Sequence, residues 1–261
     1  MGHVLPHLLP SRCSTCSGAL ETAHQCLCNA CVSELPWLET HCQQCAVPLT
    51  TNALCPDCQS KPPSFRRCIA AFTYQTPIDN IILRLKNDPY SAEIKQLTAL
   101  LAEKIISSYP PLTVDEKVEN EAQQKTAKTC PELVIPMPLH WKKMAQRGFN
   151  QSQIIGDLLS NYFLHQHKTS LKVRSDLCRR ISNSQAQQRL NKKQRAKTVQ
   201  DAFSVPALSA SSLKGRTIAV LDDVMTTGAT ANAIASALRN AGAKQVDIWC
   251  LARTSWNNST Q

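Results

Sequence analysis

The stretch Thr217-Ile218-Ala219-Val220-Leu221-Asp222-Asp223-Val224-Met225-Thr226-Thr227-Gly228-Ala229-Thr230 decides the fold. Its first five residues are a continuous apolar run, the pattern of a strand buried on both faces. The run ends in two adjacent carboxylates, Asp222 and Asp223, and a short loop from Thr226 to Thr230 opens the next helix. Main-chain N–H groups at a helix start bind phosphate, and Gly228 lets the backbone come close. The hydroxyls of Thr226, Thr227 and Thr230 add donors, and the N–H of Ala229 belongs to the same loop. The two acids upstream are placed to accept hydrogen bonds from sugar hydroxyls or to bind Mg²⁺. A pentose 5-phosphate fits that layout. Open α/β sheets bind ligands at such strand ends. Neither G-x-x-x-x-G-K-[ST] nor G-x-G-x-x-G is present, and an ordinary strand–turn–helix with a threonine cap is the plainer alternative.

Outward from this motif, strands and helices alternate. Strands are predicted over 68–74, 133–135, 217–221 and 245–251. Helices are predicted over 77–85, 92–107, 149–163 and 230–241, the last closed by Gly242. Alternation of this kind implies a parallel sheet with right-handed crossovers, an α/β fold. Residues 113–129 are polar and free of aromatics, which predicts a flexible surface insertion.

The N-terminal region follows another rule. Four C-x-x-C knuckles stand in a row: Cys13/Cys16, Cys28/Cys31, Cys42/Cys45 and Cys55/Cys58, separated by 11, 10 and 9 residues. Each knuckle is a tight turn that aims two thiolates at one point, and two turns complete a tetrahedral Zn²⁺ site. Two structural Cys₄ sites, and so two Zn²⁺ ions, are expected; a redox dithiol is the alternative. Cys26 adjoins the second knuckle and is expected to be a partly buried free thiol. A region this small and cysteine-rich needs metal to make up for its small core. Residues 1–64 are expected to form this module and 65–256 the α/β domain, with 257–261 a tail.

Composition narrows the function classes. The chain has 261 residues, 43% of them hydrophobic, and no apolar run long enough for a membrane span. No secretory signal is recognised, and thirteen cysteines then point to reduced thiols and a cytoplasmic location. The net charge is +10, and all of the excess lies after residue 68. Between Lys168 and Lys197 there are ten basic residues and one acid, Asp176. That block suggests a polyanionic partner, against the default of a solvated face.

The 218–230 stretch resembles the phosphoribosyl pyrophosphate (PRPP) motif of type I phosphoribosyltransferases. Together with the cysteine knuckles, the chain resembles the ComF family of competence-related proteins. Phe72-Thr73-Tyr74, Ile135-Pro136-Met137-Pro138-Leu139, Arg147-Gly148-Phe149-Asn150-Gln151 and the segment Gln185–Phe203 carry the same likeness. The resemblance implies a type I phosphoribosyltransferase fold, a Rossmann-like parallel sheet, behind an N-terminal double zinc ribbon. It implies PRPP with Mg²⁺ held by Asp222, Asp223 and the loop Thr226, Thr227, Gly228, Ala229 and Thr230. Lys86 falls in the loop that holds pyrophosphate in related transferases, against an ordinary surface lysine. Arg147 and Asn150 are candidates for phosphate or DNA contact, or for capping a helix. Arg189, Lys192, Lys193 and Arg195 are the candidates for single-stranded DNA in the basic block. His140 is expected to be a satisfied surface histidine and Trp141 a packing residue.

Many nucleobase transferases carry an acid where Thr226 stands, and no catalytic base is nominated here. Three functions follow as expectations: a competence or DNA-uptake protein that binds PRPP and handles single-stranded DNA, an active phosphoribosyltransferase with an unidentified acceptor, or a non-catalytic scaffold for competence-machinery proteins.

Overall fold

The computed structural model describes residues 12–22, 25–85, 87–109, 130–131, 133–181 and 202–255. Lys86, the 113–129 insertion, the 257–261 tail and the basic block from 182 onward, with Arg189, Lys192, Lys193 and Arg195, lie outside the described residues.

The described strands are β1 (Arg67–Thr73), β2 (Leu133–Pro136), β3 (Lys172–Val173), β4 (Arg179–Arg180), β5 (Phe203–Ser204), β6 (Thr217–Met225) and β7 (Gln245–Arg253). A parallel sheet has the order β1-β7-β6-β2-β3, and β4 pairs with β5 as a small antiparallel ribbon. Both faces of the sheet are covered, as its apolar strands require. Ile69, Ala71, Ala219, Leu221, Trp249 and Leu251 face one core, with α3 (Ile78–Leu85), α4 (Ala92–Ser107) and α6 (Gln151–His167). Cys68, Ala70, Ile218, Val220, Ile248 and Cys250 face the other, under α8 (Ala229–Asn240) and α7 (Ala210–Leu213). The period of two along each strand sorts these residues between the faces.

The elements depart from expectation at their ends. β6 does not stop at Leu221 but runs through both acids to Met225, because β7 continues alongside and pairs Asp222 with Cys250 and Met225 with Arg253. The helix expected at 149–163 spans Gln151–His167, since the Asn150 side chain accepts from Ser152 N and sets the start. A short helix, α5 (Trp141–Arg147), stands where no helix is predicted. His140 is buried and caps it, and Trp141 is 67% exposed, so the expected surface and packing roles of these two residues are exchanged.

The cysteine-rich chain, with its one-turn helices α1 (Asn29–Ser33) and α2 (Pro56–Ser60), lies along the free edge of β1. Leu38 N–H donates to Ala71 O, Cys68 N–H to Gln44 O and Thr73 N–H to Pro36 O, and the Trp37 ring packs tilted against Phe72. An unpaired strand edge is a template for aggregation, and this packing covers it. Gln96 of α4 anchors the first half: its Oε1 accepts from the N–H groups of Cys26 and Leu27 and its Nε2 donates to Leu27 O.

Candidate functional site

Eight cysteines gather as two groups of four: Cys13, Cys16, Cys28, Cys31 and Cys42, Cys45, Cys55, Cys58. Within each, the four sulfurs lie within 4.8 Å of one another. A tetrahedron of Zn–S bonds of about 2.3 Å puts sulfurs about 3.8 Å apart. Cys16 and Cys28 sulfurs are 3.7 Å apart, and those of Cys45 and Cys55 are 3.6 Å apart. Main-chain N–H groups point at the thiols, as from Cys28 to Cys13 and from Cys55 to Cys42. Burial opposes ionisation at Cys13 and Cys42, but these N–H groups outweigh it and bring the thiols to about 6 and about 7. The donor sets fit two closed Zn²⁺ sites that leave no open position for substrate. Cys26 stands apart; its thiol donates to Gln96 Oε1, and burial, then the charge of Glu93, raises it to about 11.

At the carboxyl end of the sheet, Asp222 and Asp223 sit in the last half of β6 and the loop follows. Asp222 Oδ1 accepts from the Ser152 hydroxyl at 3.2 Å and from Asp223 N–H at 3.0 Å. Burial, then the neighbouring charge of Asp223, pushes the Asp222 carboxyl well above the usual range. Arg180 feels the same charge: burial lowers its guanidinium and Asp222 opposes that shift. Tyr74, just past β1, is raised by burial and then by the charges of Asp79 and Asp223.

Gly228 has φ +77°, and a Cβ there would lie 2.8 Å from Met225 Cε, so the turn into α8 needs glycine. Thr226, Thr227 and Ala229 are exposed, and Thr227 Oγ1 accepts from Ala229 N–H. A small recess of about 50 Å³ touches Asp222, Thr226, Gly228 and Thr230. A larger cleft of about 360 Å³ lies between the loop and the second cysteine cluster, with Lys61, Pro62 and Phe65 on the far wall.

Residues 4–59 match the double zinc ribbon domain family, and residues 167–258 match the phosphoribosyl transferase domain family. The chain is 29% identical over 247 residues to the DNA utilization protein YhgH of Escherichia coli O6:H1, covering 94% of this chain and 98% of that one. It is 27% identical over 243 residues to Competence protein F of Haemophilus influenzae, with 93% and 96% covered. With Competence protein ComFC of Bacillus subtilis it shares 23% over 234 residues, with 87% and 84% covered.

A double zinc ribbon match thus precedes a phosphoribosyl transferase domain match, and the chain is similar over most of its length to proteins named for competence and DNA utilization.

The structure brings Asp222, Asp223, Thr226, Gly228 and Thr230 to one strand end. Arg147 lies in the last turn of α5, some residues before them. Asn150 is committed inside the protein: it caps α6 through Oδ1 and donates from Nδ2 to Met137 O. Of the described part of the basic block, Arg174 pairs with Asp176 and Arg180 lies over the Phe203 ring. No membrane-spanning helix is long and apolar enough among the described residues.

The motif reading missed Arg253. It is 3% exposed at the end of β7. Its Nε donates to Cys45 O at 2.9 Å, and its Nη1 donates to Met225 O at 3.1 Å, to Thr226 O and to Thr254 O at 2.9 Å. One guanidinium thus ties the second group of four cysteines to Thr226, the first residue of the loop after β6. A charged residue closing an apolar strand, Leu251-Ala252-Arg253, was the available signal. Ser152 was also missed; it sits on the first turn of α6, where the sequence gives no hint of its reach to Asp222.

Proposed function

We propose that this chain binds PRPP with Mg²⁺ at the carboxyl end of its sheet and serves DNA uptake and utilisation by handling single-stranded DNA in the cytosol. The observation that carries the ligand reading is the acid pair Asp222–Asp223 set directly before a loop that turns through the left-handed Gly228. The residues fit the ligand: two adjacent carboxylates crowd one another, and a Cβ at Gly228 would close on Met225. Thr226, Thr227, Gly228, Ala229 and Thr230 would hold the 5-phosphate, the acids the ribose hydroxyls or Mg²⁺, and Lys86 the pyrophosphate. The DNA reading is supported by the names of the relatives. It is also supported by Trp141, an exposed ring beside Lys142 and Lys143 with the Lys142 Nζ 5.5 Å from its centre. Exposed aromatics among cations stack single-stranded bases. We assign residues 1–64 to the ribbon module and 65–256 to the transferase-type domain.

Melting temperature tests the ligand site. PRPP with Mg²⁺ at about 100 times its dissociation constant stabilises the parent by about 2.7 kcal/mol. Asp222→Ala with Asp223→Ala abolishes that shift and leaves the unliganded protein folded; an undiminished shift would sink the assignment. Deletion of the gene, scored for uptake and use of external DNA, tests the wider role.

A second reading, phosphoribosyl transfer to an acceptor, is favoured by the 360 Å³ cleft beside the loop. Pyrophosphate release with an acceptor library checks it.

A further inference from the structure

We propose that the cleft at the amino end of β1 is a second anion site, built for a phosphate group carried by a free phosphate or nucleotide or by a nucleic-acid strand. The cleft has a volume of about 450 Å³ and lies at the opposite end of the sheet from Asp222 and Asp223. Three separate parts of the chain converge on it. His41 and Gln43 come from the second ribbon, Arg66 and Arg67 from the start of β1, and Lys104 and Ser108 from the end of α4. Three of these are permanent cations, and among the described residues no acid lines the cleft.

The Asp247 carboxylate behind the cleft is already used. Asp247 is fully buried; it accepts from Arg66 Nε at 2.7 Å, from Arg66 Nη2 at 2.5 Å and from the Tyr109 hydroxyl at 2.5 Å. Arg67 Nε comes only to 3.6 Å, and its Nε and Nη2 are buried without a hydrogen-bond partner. Arg67 is nonetheless fixed, since Nη1 donates to Ser108 O at 3.0 Å and its guanidinium lies 4.1 Å over the Tyr109 ring. The Lys104 ammonium has no hydrogen bond or ion pair among the described residues.

Arg66 is held by Asp247 and Gln245, so the excess charge at the cleft is that of Arg67, with two buried donors unpartnered, and of Lys104. Unpaired buried charge costs free energy that a bound anion would recover. A phosphate suits the geometry better than a carboxylate, because its oxygens accept donors arriving from three directions at once. The volume falls in the range of small-ligand sites, so the cleft has room for a sugar or base beyond the phosphate. The inference uses none of the residues of the PRPP reading and stands if that reading fails.

The test uses the full zinc-loaded chain and two probes, inorganic phosphate and oligo-dT. The Nε–H resonances of Arg66 and Arg67 report the cleft directly. Both variants, Lys104→Glu and Gln43→Glu, place an acid in it; Gln43→Glu serves alone if the first does not fold. Saturable shifts of those resonances are expected, with affinity lowered at least about tenfold in the variants at unchanged melting temperature. A response to phosphate alone identifies a free ligand. A response to oligo-dT alone, absent with an uncharged methylphosphonate strand, identifies the nucleic-acid backbone. Resonances that neither probe moves, or variants that bind both probes like the parent, would overturn the proposal.

Discussion

Replacing Arg253 by alanine should loosen the second ribbon and the loop after β6 together. The side chain is 3% exposed, and its partners are carbonyls and a hydroxyl rather than an acid. Two of those carbonyls keep a donor after truncation: Met225 O still accepts from Thr254 N–H at 3.2 Å, and Thr226 O from the Thr254 hydroxyl at 3.4 Å. Cys45 O and Thr254 O lose the donor that serves them. Each buried acceptor left unpaired costs about 1–3 kcal/mol. Arg253 borders the open cleft, so water recovers part of this, and the net loss should be about 3 kcal/mol. For a chain of this size that is a fall in melting temperature of roughly 10 °C. Arg253→Lys keeps the charge but not the fork, and should fall between the two. Thermal unfolding gives the first measurement, and zinc release to a chromogenic chelator gives the second. One zinc equivalent should leave faster while the other keeps its parental rate, because only the second knuckle group contacts Arg253. A melting point within about 2 °C of the parent, with both zinc ions released as before, would refute the reasoning.

Three further outcomes are expected. Elemental analysis should find close to two zinc ions per chain, and one ion would mean that one Cys₄ group is not a site. Asn150→Ala should cost about 1–2 kcal/mol in urea unfolding through the lost α6 cap, with little change in oligo-dT affinity; the reverse pattern would restore a DNA role to Asn150. Trp141→Ala should leave stability within about 0.5 kcal/mol and weaken oligo-dT binding by about 1–3 kcal/mol. Equal binding by that variant would remove the ring from the strand path.

Some parts of the molecule were legible because one physical signal determines them. The apolar run 217–221 had to be a covered strand, and the knuckle spacing had to gather sulfurs. The sequence predicts α4 at its observed range, Ala92–Ser107, since Ser91 caps it and the apolar face repeats at helical spacing. Other parts depend on partners far away in sequence. β6 continues through two carboxylates only because β7 supplies the ladder. Trp141 is exposed because His140, one residue earlier, turns inward, and nothing local distinguishes which of the two does so. Arg253 and Cys45 are brought together only by the packing of the ribbon on the sheet, a contact that no motif encodes. The basic cleft needs three segments from the ribbon, β1 and α4 to meet.

The ionisation of Asp222 gives a last test that separates a ligand site from a structural acid. Its folded-state pKa is raised, by burial first and by Asp223 second. A carboxyl raised in this way is most compatible with folding below its unfolded pKa, about 3.9, and becomes a growing liability as the pH climbs through the folded value. Asp222→Asn keeps the Oδ1 acceptor for Ser152 and removes the charge. The variant should therefore unfold at higher urea than the parent at pH 8, and this advantage should shrink as the pH falls and vanish near pH 4. A structural acid would behave in the opposite way, because its loss would destabilise most at neutral pH, where the charge is paired. Mg²⁺ with PRPP should cancel the liability in the parent by neutralising the pair, and should do less for Asp222→Asn. A variant less stable than the parent across the whole pH range would mean that the charge of Asp222 serves the fold, and the acid pair would then lose its claim to a cation-linked ligand.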